Sequence, residues 1–292
     1  MRVTRLQALW TAWICTLLVT ASLIGAIHEI EELAPFEAHA VELTPHSLIL
    51  FDVDHTLITL SDAILNPAAK HVLKKIIADL EFKNESGFAE RKEVALSQLV
   101  LQAEWKLVDQ RSPILLNKLH KRSIPYLAIT AFDGGRCGEI PSGATWRFNH
   151  LKELGLNFSY TFPELQTGFF PQDPPGEGVP IYDSGIIYTS RHSKGVVLGN
   201  VLDWMNWKPN HVLMIDDRLD FLQAVESTLV ERGIPFDGYH YRAVERNAPS
   251  VDLEVARLQM RTIYEKGVWL SDCEAREILD SQREEVKRES AL

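Results

Sequence analysis

The fold of this chain is decided by residues 47–57, SLILFDVDHTL. The apolar half of this stretch is typical of a short strand that is buried on both faces of a parallel sheet. The strand leads directly into Asp52 and Asp54, which point to the same side because they are two apart on an extended segment. Residues 212–217, VLMIDD, repeat the arrangement with two more carboxylates. Since ligands of open α/β sheets bind beyond the carboxyl ends of the strands, we expect all four carboxylates at one functional edge.

Apolar runs and amphipathic stripes alternate along much of the remaining chain. Strands are predicted within residues 125–129, 181–188 and 212–215, and helices within 146–154, 197–205 and 221–229. The alternation predicts an α/β fold with a doubly wound, mainly parallel Rossmann-like sheet. After the first strand, apolar residues recur at helical spacing with no predicted strand between them, which predicts a helical insert there. We divide the chain into five parts. The leader is residues 1–27 and the link is residues 28–46. The core is residues 47–59 together with 120–245, the insert is residues 60–119, and the C-terminal helical segment is residues 246–292.

The first residues have the layout of a secretory signal. Two arginines precede residues 8–27, which carry no charge. This run also reaches the ~20 residues that a membrane helix needs, so an uncleaved anchor is the alternative. We predict an exported protein that is periplasmic, secreted or anchored in the membrane by its N-terminus. Because the first core strand is expected to begin near Leu48, we expect the residues before about Ala40 to be dispensable for folding.

The composition is that of an ordinary folded, acidic protein. Of the 292 residues, 46% are hydrophobic and 24% are charged, which excludes a disordered or collagen-like chain. The formal net charge of -10 argues against nucleic acid as a partner, because the neutralisation of phosphates needs clustered lysine and arginine. Three cysteines are too few for a disulfide scaffold. We predict that the two outside the leader, Cys137 and Cys273, are free thiols.

The carboxylates at the sheet edge predict a metal site. They repel each other unless a cation lies among them, and hard oxygen ligands select magnesium. We therefore expect Mg²⁺ beside Asp52, Asp54, Asp216 and Asp217. Three histidines are expected at the surface or beside the site rather than on a metal, namely His55, His192 and His211.

Four segments resemble, in order, the motifs of the haloacid dehalogenase superfamily, whose members are mainly phosphotransferases. They are Asp52-x-Asp54-x-Thr56, Thr130, Lys194 and Asp216-Asp217. The resemblance implies that residues 60–119 form a helical cap, which closes over the site and supplies specificity. Within the superfamily, the chain is similar to a poorly characterised group of exported or bacterial proteins that carry a domain of unknown function. It departs from many relatives at residues 131–135, AFDGG, where a small residue and an arginine usually follow the threonine.

The resemblance also implies a role for each motif residue. Asp52 is the nucleophile that forms an aspartyl-phosphate, and Asp54 is the acid/base that protonates the leaving group and then activates water. Thr130 donates a hydrogen bond to a phosphoryl oxygen. Lys194 stabilises the negative charge that develops there.

By the same resemblance, Mg²⁺ binds the side chain of Asp52, the backbone carbonyl of Asp54 and a carboxylate of the fourth motif. The paired acids point to Asp217, whereas Asp216 with Asp220 fits a spaced form of that motif. Both members of the pair therefore remain candidate ligands, with Asp220 placed beyond them. Candidate cap residues that face the pocket are Trp105, Lys106 and Arg111.

The leading hypothesis is a magnesium-dependent phosphatase that acts on a small phosphorylated substrate. One alternative is a binding or effector protein that keeps the fold but has little turnover. A second alternative is a phosphotransferase, because the motifs do not separate hydrolysis from transfer. No feature of the sequence names the substrate or the oligomeric state.

Overall fold

A computed structural model describes residues 25–80, 88–172 and 178–290. The strands of this part of the chain are β1 Ile27–Ile30, β2 Leu48–Phe51, β3 Ile58–Leu60, β4 Trp105–Leu107, β5 Tyr126–Thr130, β6 Gly168–Phe169, β7 Ile181–Asp183, β8 Ile186–Tyr188, β9 Val212–Asp216 and β10 Phe236–Tyr241. Eight of these strands form one sheet in the order β1-β10-β9-β2-β5-β8-β7-β6, and β3 pairs with β4 separately. Across the sheet, the neighbouring strands β1, β10, β9, β2, β5 and β8 pair in parallel. Strand β7 pairs antiparallel with β8, and β6 pairs antiparallel with β7.

The helices are α1 Ala34–Ala40, α2 Lys70–Asp79, α3 Phe88–Gln102, α4 Ser112–Lys121, α5 Gly143–Glu153, α6 Lys194–Trp204, α7 Leu219–Glu231, α8 Ala243–Arg246, α9 Leu253–Lys266 and α10 Asp272–Ser290. Within the described residues, no helix has both the length and the apolar character that crossing a membrane requires. Most of the predicted leader, residues 1–24, lies outside those residues, so export remains a prediction. Cys137 and Cys273 are free thiols, as predicted.

The side chains of the central strands alternate between two apolar layers. On one face, Phe51 and Ile215 are buried in a cluster with residues of α1, α4 and α5. On the other face, Leu50 and Met214 are buried in a cluster with residues of α6 and α7. Helices cover both faces because the strands are apolar on both sides. This arrangement confirms the predicted α/β fold with a doubly wound, mainly parallel, Rossmann-like sheet.

The helical insert lies between the paired strands β3 and β4. Its helices α2 and α3 pack on α9 through a third apolar cluster, which includes Ile76, Leu99, Met260 and Ile263. Helix α4 packs on the sheet instead, through Leu115 and Leu119. The insert predicted over residues 60–119 therefore ends at β4, because the apolar stripe of α4 covers the sheet. Its packing partner is the C-terminal segment predicted over residues 246–292.

The link predicted over residues 28–46 is in fact part of the fold. Strand β1 pairs in parallel with β10, and α1 buries Phe36 completely against Phe51 and Tyr239. The structure contradicts the premise on which residues before about Ala40 were expected to be dispensable for folding, because β1 and α1 precede Leu48 and pack into the fold. The sequence was misleading here because β1 is only four residues long and buries only Ile30. The glutamates around it are typical of a solvated linker.

We expect Phe36→Ala to lower the free energy of unfolding by about 3–5 kcal/mol, because the substitution leaves a cavity at a fully buried aromatic site. A chain that begins at Val41 lacks β1 and α1, so we expect it to lose cooperative unfolding. A chain that begins at Gly25 is expected to keep it. Urea denaturation followed by circular dichroism measures each variant.

The matched control is Phe169→Ala, because the Phe169 side chain is 64% exposed. We expect this control to lower the free energy of unfolding by less than about 1 kcal/mol. Equal urea midpoints for the two alanine variants would show that α1 does not contribute to the core.

Candidate active site

A buried lysine joins two carboxylates at the ends of neighbouring strands. Asp52 follows β2 and Asp216 ends β9, and these strands pair in parallel. Lys194, the first residue of α6, places Nζ 2.5 Å from Oδ1 of Asp52 and 2.7 Å from Oδ2 of Asp216. Burial disfavours the ammonium, but the carboxylates of Asp216 and Asp52 outweigh it and raise the pKa of Lys194 above its ordinary value. Three of the residues predicted from the sequence are therefore in direct contact.

Helix α6 can place Lys194 here because the next residue has no side chain. A Cβ atom at Gly195 would lie only 2.1 Å from the backbone oxygen of Ala224 on α7, far inside van der Waals contact. The chain enters α6 through Ser190 and Arg191, which both adopt positive φ values. Close packing of α6 on α7 and this tight entry fix the start of the helix. They also fix the position of the ammonium.

Asp217 joins Asp52 and Asp216 in one acidic cluster. One carboxylate oxygen from each residue lies within 4.8 Å of the other two. Oδ1 of Asp216 accepts a hydrogen bond from the backbone N–H of Arg218 at 2.8 Å, whereas Oδ2 of Asp52 is buried without a hydrogen-bond partner among the described residues. The backbone N–H of Asp217 donates to the hydroxyl of Thr56 at 3.0 Å. The first and fourth motifs are therefore joined by this hydrogen bond as well as by the ammonium of Lys194.

The charges of this cluster fit a hard divalent cation. Burial, and then the charge of Asp52, raise the pKa of Asp216 to about 7. Burial, and then the charges of Asp52 and Asp216, raise the pKa of Asp217 to about 8. A cation among these carboxylates would relieve the repulsion, and carboxylate oxygens are ligands that Mg²⁺ prefers. Both acids of the pair remain candidate ligands.

Asp54 has a different set of contacts from those of the cluster. Its Oδ2 accepts a hydrogen bond from the hydroxyl of Thr130 at 3.2 Å, and its Oδ1 lies 2.9 Å from Nη2 of Arg147. Thr130 is fully buried at the end of β5, and its hydroxyl accepts the backbone N–H of Phe132 at 3.1 Å. The Asp54 side chain keeps 32% of its surface exposed. The structure thus brings Thr130 to Asp54, and the phosphoryl contact of Thr130 stays a prediction.

Arg147, a buried arginine on α5, belongs to the site but was not predicted from the sequence. Its guanidinium pairs with Asp54 and lies 4.5–5.0 Å from the ring centroids of Trp105, Phe132 and Trp146. Cation–π packing of this kind stabilises a charge that has been removed from water. Its Nε and Nη1 atoms have no hydrogen-bond partner among the described residues. The only sequence signal was an arginine next to a tryptophan in the helix that follows Thr130.

The three cap candidates occupy different surroundings. Trp105 is half-buried and contacts Arg147, so it borders the site through that arginine. Lys106 is exposed and lines a cavity of about 170 Å³ between β3, β4 and α8. Arg111 is exposed and forms an ion pair with Asp109 at 2.6 Å. Of the three, only Trp105 is joined to the site by a contact described here.

Other residues noted in the sequence lie outside the acidic cluster. Asp220 is exposed and forms an ion pair with Arg218 at 2.5 Å. His55 lies with Nδ1 3.2 Å from the hydroxyl of Thr59, and burial lowers the pKa of His55. Nε2 of His192 lies 3.1 Å from a backbone carbonyl oxygen. The structure therefore places Asp220 beyond the candidate metal ligands, as the sequence analysis did.

Residues 26–276 match the family model described as "Protein of unknown function (DUF2608)". The matched segment contains all of the site residues described above. An uncharacterized protein of Rickettsia prowazekii (strain Madrid E) is 23% identical over 236 residues, which cover 80% of this chain and 83% of the relative. An uncharacterized protein of Rickettsia felis is 26% identical over 165 residues, which cover 54% of this chain and 55% of that relative.

Among solved structures, the chain is similar to one described as a haloacid dehalogenase-like hydrolase of Burkholderia xenovorans LB400. The identity is 15% and the TM-score 0.29, with 70% of this chain and 90% of that chain covered. A likeness at this level carries no argument about activity. The family match is of another kind, because it spans well over half of the chain. This protein belongs to the family described as protein of unknown function (DUF2608).

Proposed function

We propose that this protein is a magnesium-dependent phosphate-ester hydrolase that works through an aspartyl-phosphate on Asp52. The observation that carries the proposal is the contact of one buried ammonium, Lys194, with two carboxylates at the carboxyl ends of adjacent parallel strands. A purely structural ion pair has no need of a third carboxylate or of a second acid two residues after the first. Asp217 and Asp54 supply both. The resemblance of these residues to the haloacid dehalogenase motifs supports the same interpretation.

The chain's own residues offer four oxygen ligands for the ion, and water or substrate oxygens would supply the rest. In this proposal Mg²⁺ is held by the side chains of Asp52, Asp216 and Asp217 and by the backbone carbonyl of Asp54. The close approach of one carboxylate oxygen from each of the three acids and the raised pKa values of Asp216 and Asp217 support this assignment. When bound, the ion supplies positive charge that offsets the repulsion between an anionic substrate and the carboxylates.

Lys194 orients Asp52 for attack. Because Oδ1 of Asp52 is engaged by the ammonium, Oδ2 is the oxygen that attacks phosphorus. A bond forms between Oδ2 and phosphorus while the bond from phosphorus to the alcohol oxygen breaks. The departing alcohol takes a proton from Asp54. Lys194 stabilises the negative charge on the phosphoryl oxygens during this step.

Asp54 then takes a proton from the water that attacks the aspartyl-phosphate. Phosphate leaves, and the carboxylate of Asp52 is restored. Thr130 and Arg147 position Asp54 for this step. Arg147 holds one carboxylate oxygen of Asp54, and the hydroxyl of Thr130 holds the other. In this proposal Arg147 is a positioning residue, because it acts through Asp54.

The contact between Arg147 and Asp54 also favours one alternative, a binding protein with little turnover. An acid/base that is engaged in an ion pair exchanges protons less freely. The hydrolase is the better proposal because Asp54 keeps part of its side chain exposed to solvent and substrate. A phosphotransferase would use the same residues and differ only in the acceptor. We further propose a small phosphorylated substrate and, from the predicted leader, an exported protein.

We expect Asp52→Asn to lower kcat/KM by at least about 10³-fold, because an amide does not attack phosphorus. The assay is the release of phosphate from a panel of phosphate esters in the presence of Mg²⁺. The matched control is Asp220→Asn, which changes an exposed carboxylate outside the cluster and is expected to leave turnover unchanged. Turnover near that of the wild type would exclude Asp52 as the nucleophile. A wild type without Mg²⁺-dependent turnover on the panel would favour the binding protein.

We expect Asp217→Asn to raise the Mg²⁺ concentration needed for half-maximal activity by at least about tenfold, because the variant lacks one charged ligand oxygen. In the absence of Mg²⁺, the same variant should unfold at the same or a higher temperature than the wild type. The reason is that an amide relieves the repulsion among the three carboxylates. An unchanged Mg²⁺ requirement would remove Asp217 from the set of ligands.

We expect Arg147→Met to lower kcat about 10- to 100-fold, because Asp54 loses the group that positions it. The diagnostic measurement is the comparison of kcat with KM. A residue that acts by positioning Asp54 should lower kcat and leave KM nearly unchanged. Arg147→Lys keeps a positive charge beside Asp54 and should recover part of the lost kcat. Equal kcat values for Arg147→Met and Arg147→Lys would show that Arg147 acts only through packing.

A further inference from the structure

A second group of side chains of metal-binding types lies at the amino ends of the sheet strands, at the end opposite the acidic cluster. His211 directly precedes β9 and Asp237 is the second residue of β10, so both belong to the amino ends of these strands. His39 reaches them from the last turn of α1. One ligand atom from each of the three residues lies within 4.8 Å of the other two. The group is separate from Asp52 and Asp216, which follow or end strands at the carboxyl edge.

One ring nitrogen of His39 has a hydrogen-bond partner, which leaves the other nitrogen for a metal ion. Its Nδ1 lies 3.1 Å from the hydroxyl of Tyr239. When Nδ1 donates to that hydroxyl, the lone pair of the ring is on Nε2. Metal-bound histidines usually have this arrangement, with one ring nitrogen on the ion and the other on a hydrogen-bond partner.

His211 and Asp237 present the other two ligand atoms. Nε2 of His211 lies 2.8 Å from Oδ2 of Asp237, and Oδ1 of Asp237 accepts the backbone N–H of Ala26 at 3.2 Å. A tetrahedral ion with bonds of about 2.0–2.1 Å separates its ligand atoms by roughly 3.4 Å. These two atoms therefore need to move apart by only about 0.6 Å. The ion would take the place of the proton between them, and that proton would be released.

The surroundings leave an approach for an ion. The side chains of His211 and Asp237 are 21% and 25% exposed. A metal ion can therefore reach the group from solvent.

We propose that His39, His211 and Asp237 bind one divalent transition-metal ion of the zinc class. Two imidazole nitrogens and one carboxylate oxygen suit Zn²⁺, whereas Mg²⁺ prefers oxygen ligands alone. Three protein ligands leave the fourth position of a tetrahedral ion to water. The site differs in ligand chemistry from the acidic cluster and does not depend on the proposed hydrolysis. This proposal departs from the sequence-based expectation that His211 lies at the surface or beside the site rather than on a metal. The group becomes visible only in the structure, where segments remote in sequence meet.

The ion would crosslink segments that are remote in sequence. It would join α1 to the amino ends of β9 and β10, beside the pairing of β1 with β10. A ligand that binds only the folded chain stabilises it in proportion to the logarithm of its concentration. Zn²⁺ would therefore stabilise the attachment of the N-terminal segment to the sheet.

The test uses the Asp217→Asn chain, in which the acidic cluster is weakened, after dialysis against a chelator and in excess Mg²⁺. Zn²⁺ is titrated in, and the bound metal is measured by equilibrium dialysis. We expect one Zn²⁺ per chain and a rise in melting temperature of about 5 °C at a hundredfold excess over the dissociation constant. His39→Gln and His211→Asn should each weaken Zn²⁺ binding at least about tenfold, and Tyr239→Phe should weaken it to a smaller extent.

The matched control is His192→Gln, because His192 bonds a backbone carbonyl outside the group. This variant should bind Zn²⁺ as the parent chain does. Co²⁺ provides a second measurement, since its visible absorption is intense only in a tetrahedral site. That absorption should be lost in His39→Gln. The proposal would be overturned if the parent chain bound no Zn²⁺, or if His39→Gln and His211→Asn bound Zn²⁺ with the affinity of the parent chain.

Discussion

The buried ion pair of Lys194 with Asp52 and Asp216 is the interaction on which the rest of the structure depends. An ammonium that has left water is stable only if carboxylates replace its hydration, and both carboxylates must come from one sheet edge. This requires β2 and β9 to be parallel neighbours, and α6 to begin at their carboxyl ends. Helix α6 can begin there because Gly195 allows it to pack closely on α7. With Asp217, three carboxylates and one ammonium leave a formal charge of -2 when all are ionised, which is the charge that a divalent cation neutralises.

The helical insert and the C-terminal segment form one packed unit. Asp62, next to β3, accepts hydrogen bonds at 2.8 Å from the indole N–H of Trp269 and from the backbone N–H of Asp272, and burial raises the pKa of Asp62. Helices α2 and α3 share an apolar cluster with α9. The same unit meets the site through β4, where Trp105 contacts Arg147. A displacement of the insert must therefore move α9 with it and disturb the packing around the partner of Asp54.

The sequence predicted those parts of the protein in which a short run of residues is compatible with only one kind of local structure. A short apolar run that ends in a carboxylate can be buried on both faces of a sheet, and two such runs predicted the central strands with Asp52 and Asp216. Helix α1 could not be found in this way, because its burial depends on a pairing of β1 with residues more than two hundred positions later. Arg147 could not be found either. Its surroundings combine rings from β4, from the loop after β5 and from α5, and no local pattern indicates that these segments meet.

The segment that follows the predicted leader also contributes to the position of the candidate metal ligands at the carboxyl edge. Glu29 of β1 is in register with His240 of β10, and Nδ1 of His240 lies 3.8 Å from a carboxylate oxygen of Glu29. Nε2 of the same ring lies 3.0 Å from the backbone oxygen of Asp217, and this nitrogen carries the proton because a carbonyl only accepts. At the other end of β10, α1 brings His39 to Asp237. Both ends of β10 therefore depend on the N-terminal segment, so the burial of Phe36 supports the sheet edge that holds Asp217 as well as the apolar core.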